Sequence, residues 1–89
     1  MSQTDFQDEP PLSPALTSYD RKHMALFIRL LDAERDGASW QEATHILFGI
    51  DAATDPERAE RVHASHLARA KWMMTTGYPL LAKEGLARR

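Results

Sequence analysis

The sequence predicts a small all-α domain of three to four helices in a helix-turn-helix-like order. Three observations carry this. Apolar residues recur at three- and four-residue spacing in three stretches, and no stretch alternates with period two. Each stretch opens on a residue suited to cap a helix N-terminus. Gly37, Gly49 and Gly77 stand just past the three stretches, where a helix ends most easily. The chain has 89 residues, 43% of them apolar, which is one domain with material for one modest core.

Residues 1–17 read as a disordered tail. They hold Pro10, Pro11 and Pro14, the acids Asp5, Asp8 and Glu9, and no basic residue. Such a composition buries too little apolar surface to offset its ordering entropy. Phe6, Leu12 and Leu16 are isolated apolar points in it. They leave open a second reading, in which the segment docks on a partner or on its own domain. The helical domain spans residues 18–83, and residues 84–89 form a basic tail.

The first helix is expected from Tyr19 to Arg35. Ser18 suits the N-cap, and Asp20 suits the positive end of the helix dipole. His23, Met24, Phe27, Leu30, Leu31 and Glu34 share one side, with Leu26 and Ile28 widening the stripe, and Asp36-Gly37 ends the helix. The second begins at Ser39-Trp40-Gln41-Glu42, a capping-box pattern. Trp40, Ala43, Ile46, Leu47 and Ile50 then follow helical spacing, with Gly49 closing. The third begins at Asp55-Pro56, with Asp as cap and Pro at the first helical position. It is expected to run to Thr76. Tyr78-Pro79-Leu80-Leu81 is a candidate for one last short helix.

Composition excludes much chemistry. There is no cysteine, so disulfides, thiolate catalysis and the usual zinc-finger ligand sets are absent. This fits a reducing cytoplasm. No signal peptide is recognisable, and no apolar run approaches the ~20 residues of a membrane helix. His63 and His66 stand three apart on a helix, but both fall on the apolar stripe and no third ligand is evident. Asp51 and Asp55 lack the rest of a calcium-loop pattern. No glycine-rich phosphate loop and no nucleophile–base pair are recognisable. The expectation is a binding module rather than an enzyme, with no cofactor and no metal.

The third helix does not divide cleanly. Ala59, Val62, His63, His66, Leu67, Ala70, Met73 and Met74 gather on one side as the core stripe. Arg58, Arg61, Ser65, Ala68, Arg69 and Trp72 gather opposite. A tryptophan among arginines on a nominally solvated face is either covered by another part of the chain or a binding hot spot. The second helix, loop and third helix also suggest a helix-turn-helix, whose second helix enters the DNA major groove. Three features oppose DNA. The connection from Phe48 to Pro56 exceeds the usual turn of about 3–4 residues. Glu57 and Glu60 stand at the leading end, and the net charge is −2.

Several stretches resemble a family of small proteobacterial domains carried on integrative and conjugative elements, the QseM-like antiactivators. They are Tyr19-Asp20, Leu30-Leu31-Asp32-Ala33-Glu34, Gly37, Trp40, Gly49-Ile50-Asp51 and Asp55-Pro56. The most specific are His66-Leu67-Ala68-Arg69-Ala70-x-Trp72-Met73 and Gly77-Tyr78-x-Leu80-Leu81. The match covers roughly Tyr19 to Ala82. The resemblance implies a helix-turn-helix-like fold. It also implies contact with TraR-like quorum-sensing and FseA-like activators, which represses excision and transfer of the element. Pro79 departs from the pattern, in which a basic residue follows Gly-Tyr.

Two functional readings follow. The first is an antiactivator working by protein–protein contact, with Arg58, Arg61, Arg69, Trp72 and Tyr78 as the partner-binding face. The alternative is a DNA-binding transcriptional regulator that uses the third helix.

Overall fold

The computed structural model describes residues 6–77. It contains α1 (Ser18–Lys22), α2 (Met24–Arg35), α3 (Trp40–Phe48) and α4 (Pro56–Trp72). A π-helical turn, Met73–Gly77, continues α4. No strand occurs among the described residues. Helices α2, α3 and α4 pack against one another in all three pairs, so the all-α class expected from the periodicity is the class observed.

The expected first helix is two helices. Thr17 rather than Ser18 is the cap. Its hydroxyl accepts from the Asp20 N–H at 3.1 Å, and the Asp20 carboxylate accepts from the Thr17 N–H at 2.9 Å. This reciprocal box fixes the start one residue early. The break falls at His23, whose φ of −106° and ψ of 22° leave the helical region. Its ring stacks on Tyr19 with centroids 4.1 Å apart, and its Nδ1 donates to the Tyr19 carbonyl at 3.0 Å. A side chain competing for a backbone acceptor is a recognised cause of a helix irregularity.

Glycine ends α2 as expected. Gly37 takes φ 83°, the Ala38 N–H reaches the Ala33 carbonyl at 3.0 Å, and the Gly37 N–H reaches Glu34 at 3.1 Å. These two bonds are the Schellman pattern, which satisfies carbonyls the helix leaves open. The turn then delivers Ser39, whose Oγ accepts from the Glu42 N–H at 3.1 Å. After α3, the longer connection is organised by Asp51. Its carboxylate accepts from the Ala53 N–H at 2.9 Å and from the Thr54 hydroxyl at 3.0 Å. The Asp51 carbonyl accepts from the Asp55 N–H at 2.9 Å, which aims the chain into α4.

Phe27 and Leu30 from α2, Phe48 and Ile50 around the end of α3, and Ala59, Val62 and Ala70 of α4 form the core, with Tyr19 and Met73. Three expected core positions face out. Ile28 is 52% exposed, Ile46 60% and Met74 65%. Phe48 and Thr44 take the buried side of α3 instead. The hydroxyl of Thr44 donates to the Trp40 carbonyl, so its burial leaves no unpaired donor.

Residues 6–17, which composition reads as a tail, lie along the domain in this structure. Phe6 and Leu16 pack against the core, and Pro10 is buried. Leu12 remains 85% exposed. Contacts with the helices thus recur along this segment. Specific partners on α4 supply what bulk composition lacks.

Candidate functional site

Helix α4 carries every expected site residue but one. Tyr78 lies outside the described residues. Arg58, Arg61, Ser65, Arg69 and Trp72 lie on the side of α4 that faces the N-terminal segment, and they behave as two groups.

Arg58 and Arg61 form the outer group. Both converge on Asp8. Arg58 donates from Nε at 3.1 Å to Oδ2 and from Nη2 at 3.0 Å to Oδ1, a two-pronged grip on the carboxylate. Arg61 Nη2 donates to Oδ2 at 3.3 Å. The Ser65 hydroxyl donates to the Asp8 carbonyl at 3.2 Å. The Arg58 guanidinium holds the Asp8 carboxyl below the usual carboxylate range. Arg58, Arg61 and Asp8 side chains keep 41%, 49% and 40% of their exposure, so all three remain wet. One turn further in, Phe6 meets Phe48 edge-on at 4.9 Å, with the Arg58 guanidinium 5.9 Å from its ring.

Arg69 and Trp72 form the inner group. Arg69 is buried against Asp20, with side chains 3% and 0% exposed. Nε donates to Asp20 Oδ1 at 3.0 Å and Nη2 to Oδ2 at 2.6 Å. Nη1 donates to the Ser13 carbonyl at 2.8 Å, and Nη2 also reaches the Ala15 carbonyl at 3.1 Å. The guanidinium then lies 3.9 Å from the Trp72 ring centroid, a cation–π contact that half-buries the ring. Burial pushes the Asp20 carboxyl up, but the bonds from Arg69 and Thr17 outweigh it and leave it below its ordinary value. The ring is thus half-covered, with an arginine of its own helix stacked on it. A side chain turned inward by four hydrogen bonds has little left for a partner.

Beneath both groups lies His66, fully buried. Its Nδ1 faces the Val62 carbonyl at 2.9 Å and must donate there. Nε2 is then the acceptor for the Tyr19 hydroxyl at 2.7 Å. The Tyr19 oxygen in turn accepts from the Gln7 N–H at 3.0 Å. Burial pushes the imidazole down to about 4, so it is neutral at physiological pH. Both nitrogens are occupied, which leaves none for a metal. His63 is half-buried beside Trp40, ring centroids 6.4 Å apart. Among the described residues no three metal-ligating side chains cluster.

The solvent side of α4 reads Glu57, Arg61, Ala64, Ala68 and Lys71, spaced as one stripe along the helix. Lys71 pairs with Glu34 at 3.1 Å, and both are exposed.

Residues 2–83 match a family described as a T6SS transcription factor, DNA-binding domain, named for RovC. The chain belongs to this family. No curated protein matches it. The family is a transcription-factor class rather than an enzyme class, and it includes the N-terminal segment as well as the helices. Among the sequence readings, it favours the DNA-binding alternative over the antiactivator. No helix among the described residues is long and apolar enough to cross a membrane.

Sequence reasoning missed Asp8, Phe6 and Asp20 as partners of α4. A signal for Asp8 was present: an all-acidic segment and an arginine-bearing helix on a chain near neutrality. Their separation of 50 residues hides the pairing from any local pattern.

Proposed function

We propose that this chain is a DNA-binding module of a transcriptional regulator and that it presents α4 to the duplex. The family to which it belongs carries this reading. The geometry adds that Arg58 and Arg61 already converge on one anionic oxygen group, as they would on a phosphate. Ser65 adds a hydroxyl beside them, and Pro56 starts the helix without an extra unpaired N–H. Glu57 and Glu60 face solvent near the same end. They oppose phosphate, so the contact is modest and depends on the arginines.

The test is retention of a random-sequence duplex pool at low and physiological salt, followed by sequencing of the retained pool. The expected outcome is an enriched sequence. The slope of log affinity against log salt should fall by about 2 when Arg58→Ala and Arg61→Ala are combined, roughly one per lost phosphate contact. No retention at low salt overturns the reading.

One observation favours the second reading, an antiactivator in contact with TraR-like or FseA-like proteins. Met24, Ile28, Leu31, Met73 and Met74 line an apolar groove of about 590 Å³ between α2 and the end of α4. Met-lined grooves suit helical protein segments. Binding of an activator with no DNA retention would move the function to this groove.

A further inference from the structure

We infer that the Phe6–Pro10 segment is an intramolecular occupant of the phosphate-contacting face of α4, which DNA must displace to bind. The inference rests on the DNA-binding reading of that face.

The segment fills the face with the right chemistry. Asp8 puts a carboxylate between Arg58 and Arg61, where a phosphate of the duplex backbone would sit. Its own carbonyl takes the Ser65 hydroxyl, the third donor of the same surface. Phe6 covers the ring edge of Phe48 and underlies the Arg58 guanidinium, so Arg58 is held from two sides. The Gln7 N–H is tied to Tyr19, and Tyr19 to His66, which sets the register of the segment on the helix. While it is seated, both outer arginines are paired with Asp8 and about half of each side chain is covered.

The strength of these contacts is what makes them a latch rather than a wall. Both ion pairs keep about half of their side-chain exposure. Exposed pairs of this kind are weak and screened by salt. The duplex offers a row of phosphates and gains counterion release when they are neutralised, which a single carboxylate does not. The two occupants therefore compete on unequal terms, and the segment sets a threshold for binding.

The experiment compares the full chain with Asp8→Asn, which keeps Phe6 and the size of residue 8 but removes the charge. A second variant lacking residues 1–9 removes the occupant altogether. Each is titrated with the retained duplex across a range of salt, and hydrogen exchange at the Gln7 N–H is read with and without DNA. The expected result is affinity about tenfold tighter for both variants at low salt. The full chain should lose less affinity with added salt than either variant, because salt also loosens the exposed Asp8 pairs that DNA must break. In the full chain, Gln7 should be protected when free and should lose protection when DNA binds. Equal affinity and slope in all three, with Gln7 still protected in the complex, overturns the latch and leaves the DNA reading standing. Absence of DNA binding by all three overturns both.

Discussion

The two ends of the arginine-bearing face of α4 use the same side chain for opposite purposes. Near the start, Arg58 and Arg61 meet Asp8 at the surface with water still around all three. Near the end, Arg69 meets Asp20 in a place that excludes water. Distances to the carboxylate run from 3.0 to 3.3 Å outside and from 2.6 to 3.0 Å inside, and this small difference does not by itself separate their roles. Burial does. An exposed pair contributes little and comes apart readily, whereas a buried one cannot lose a partner without stranding a charge. A face that sequence reads as one site is thus a displaceable outer half on a fixed inner half.

The largest expected effect follows at the inner end. Arg69→Ala leaves the Asp20 carboxylate buried with only the Thr17 donors, and strips two backbone carbonyls of their partner. Loss of about 3–5 kcal/mol is expected in urea unfolding, enough to unfold much of a domain this size. Arg69→Lys sharpens the comparison. It restores the charge but not the planar fork that serves Asp20, Ser13 and Ala15 together, so recovery should be partial. Full recovery by lysine would mean that charge alone, not the fork, holds the segment to α4.

Next in size is the pH dependence of the shared core. His66 is neutral when folded, with its pKa pushed down to about 4 by burial, against 6.5 as the ordinary value. As pH falls below 6.5, the unfolded chain takes up a proton that the folded chain refuses. Stability contributed by the neutral imidazole is therefore present above 6.5 and declines until about 4, a total of about 3 kcal/mol. His63 is shifted down too, by burial against the opposing pull of Glu34, and adds in the same direction. Asp20, held low by Arg69, adds its own loss only below the ordinary carboxylate value of 3.8. Urea midpoints measured from pH 7 to pH 4 should fall steadily, and the His66 ring resonances should not titrate above pH 5. A midpoint flat across that range would mean that His66 is protonated in the folded state and its tautomer assignment fails.

The same contrast explains what sequence could show. Helix ends were legible because their causes are local: Ser39 three residues before Glu42, Gly37 and Gly49 just past α2 and α3, Pro56 at the first turn of α4. The core stripe of α4 was legible at Ala59, Val62, His66, Ala70 and Met73, because periodicity alone sets it. The oddness of Trp72 was legible as well, but not its cause. Arg69 is separated from Asp20 by 49 residues and from Ser13 by 56, so no window of sequence contains the pairing that turns it inward. The break at His23 depends on a ring folding back over Tyr19, which periodicity also does not register. Ile46 was misplaced because Phe48 and Thr44 fill the space on the α3 side of the core, and helical spacing alone does not choose between neighbouring faces.

The smallest expected effect is the most informative about the outer end. Arg58→Ala removes the firmer of the two grips on Asp8, yet the carboxylate is already 40% exposed and can rehydrate where it stands. Arg61 remains beside it, and Phe6 keeps its contact with Phe48. The expected change in urea midpoint corresponds to less than about 1 kcal/mol. That small number is a condition for the proposed displacement, because a segment seated by several kcal/mol would not yield to a duplex held by a few phosphate contacts. A destabilisation by Arg58→Ala approaching that of Arg69→Ala would show that residues 6–10 are part of the core in energy as well as in position. The outer half of the face would then be as fixed as the inner half, and DNA would have to be read by the exposed stripe of Glu57, Arg61, Ala64, Ala68 and Lys71 with the segment still in place.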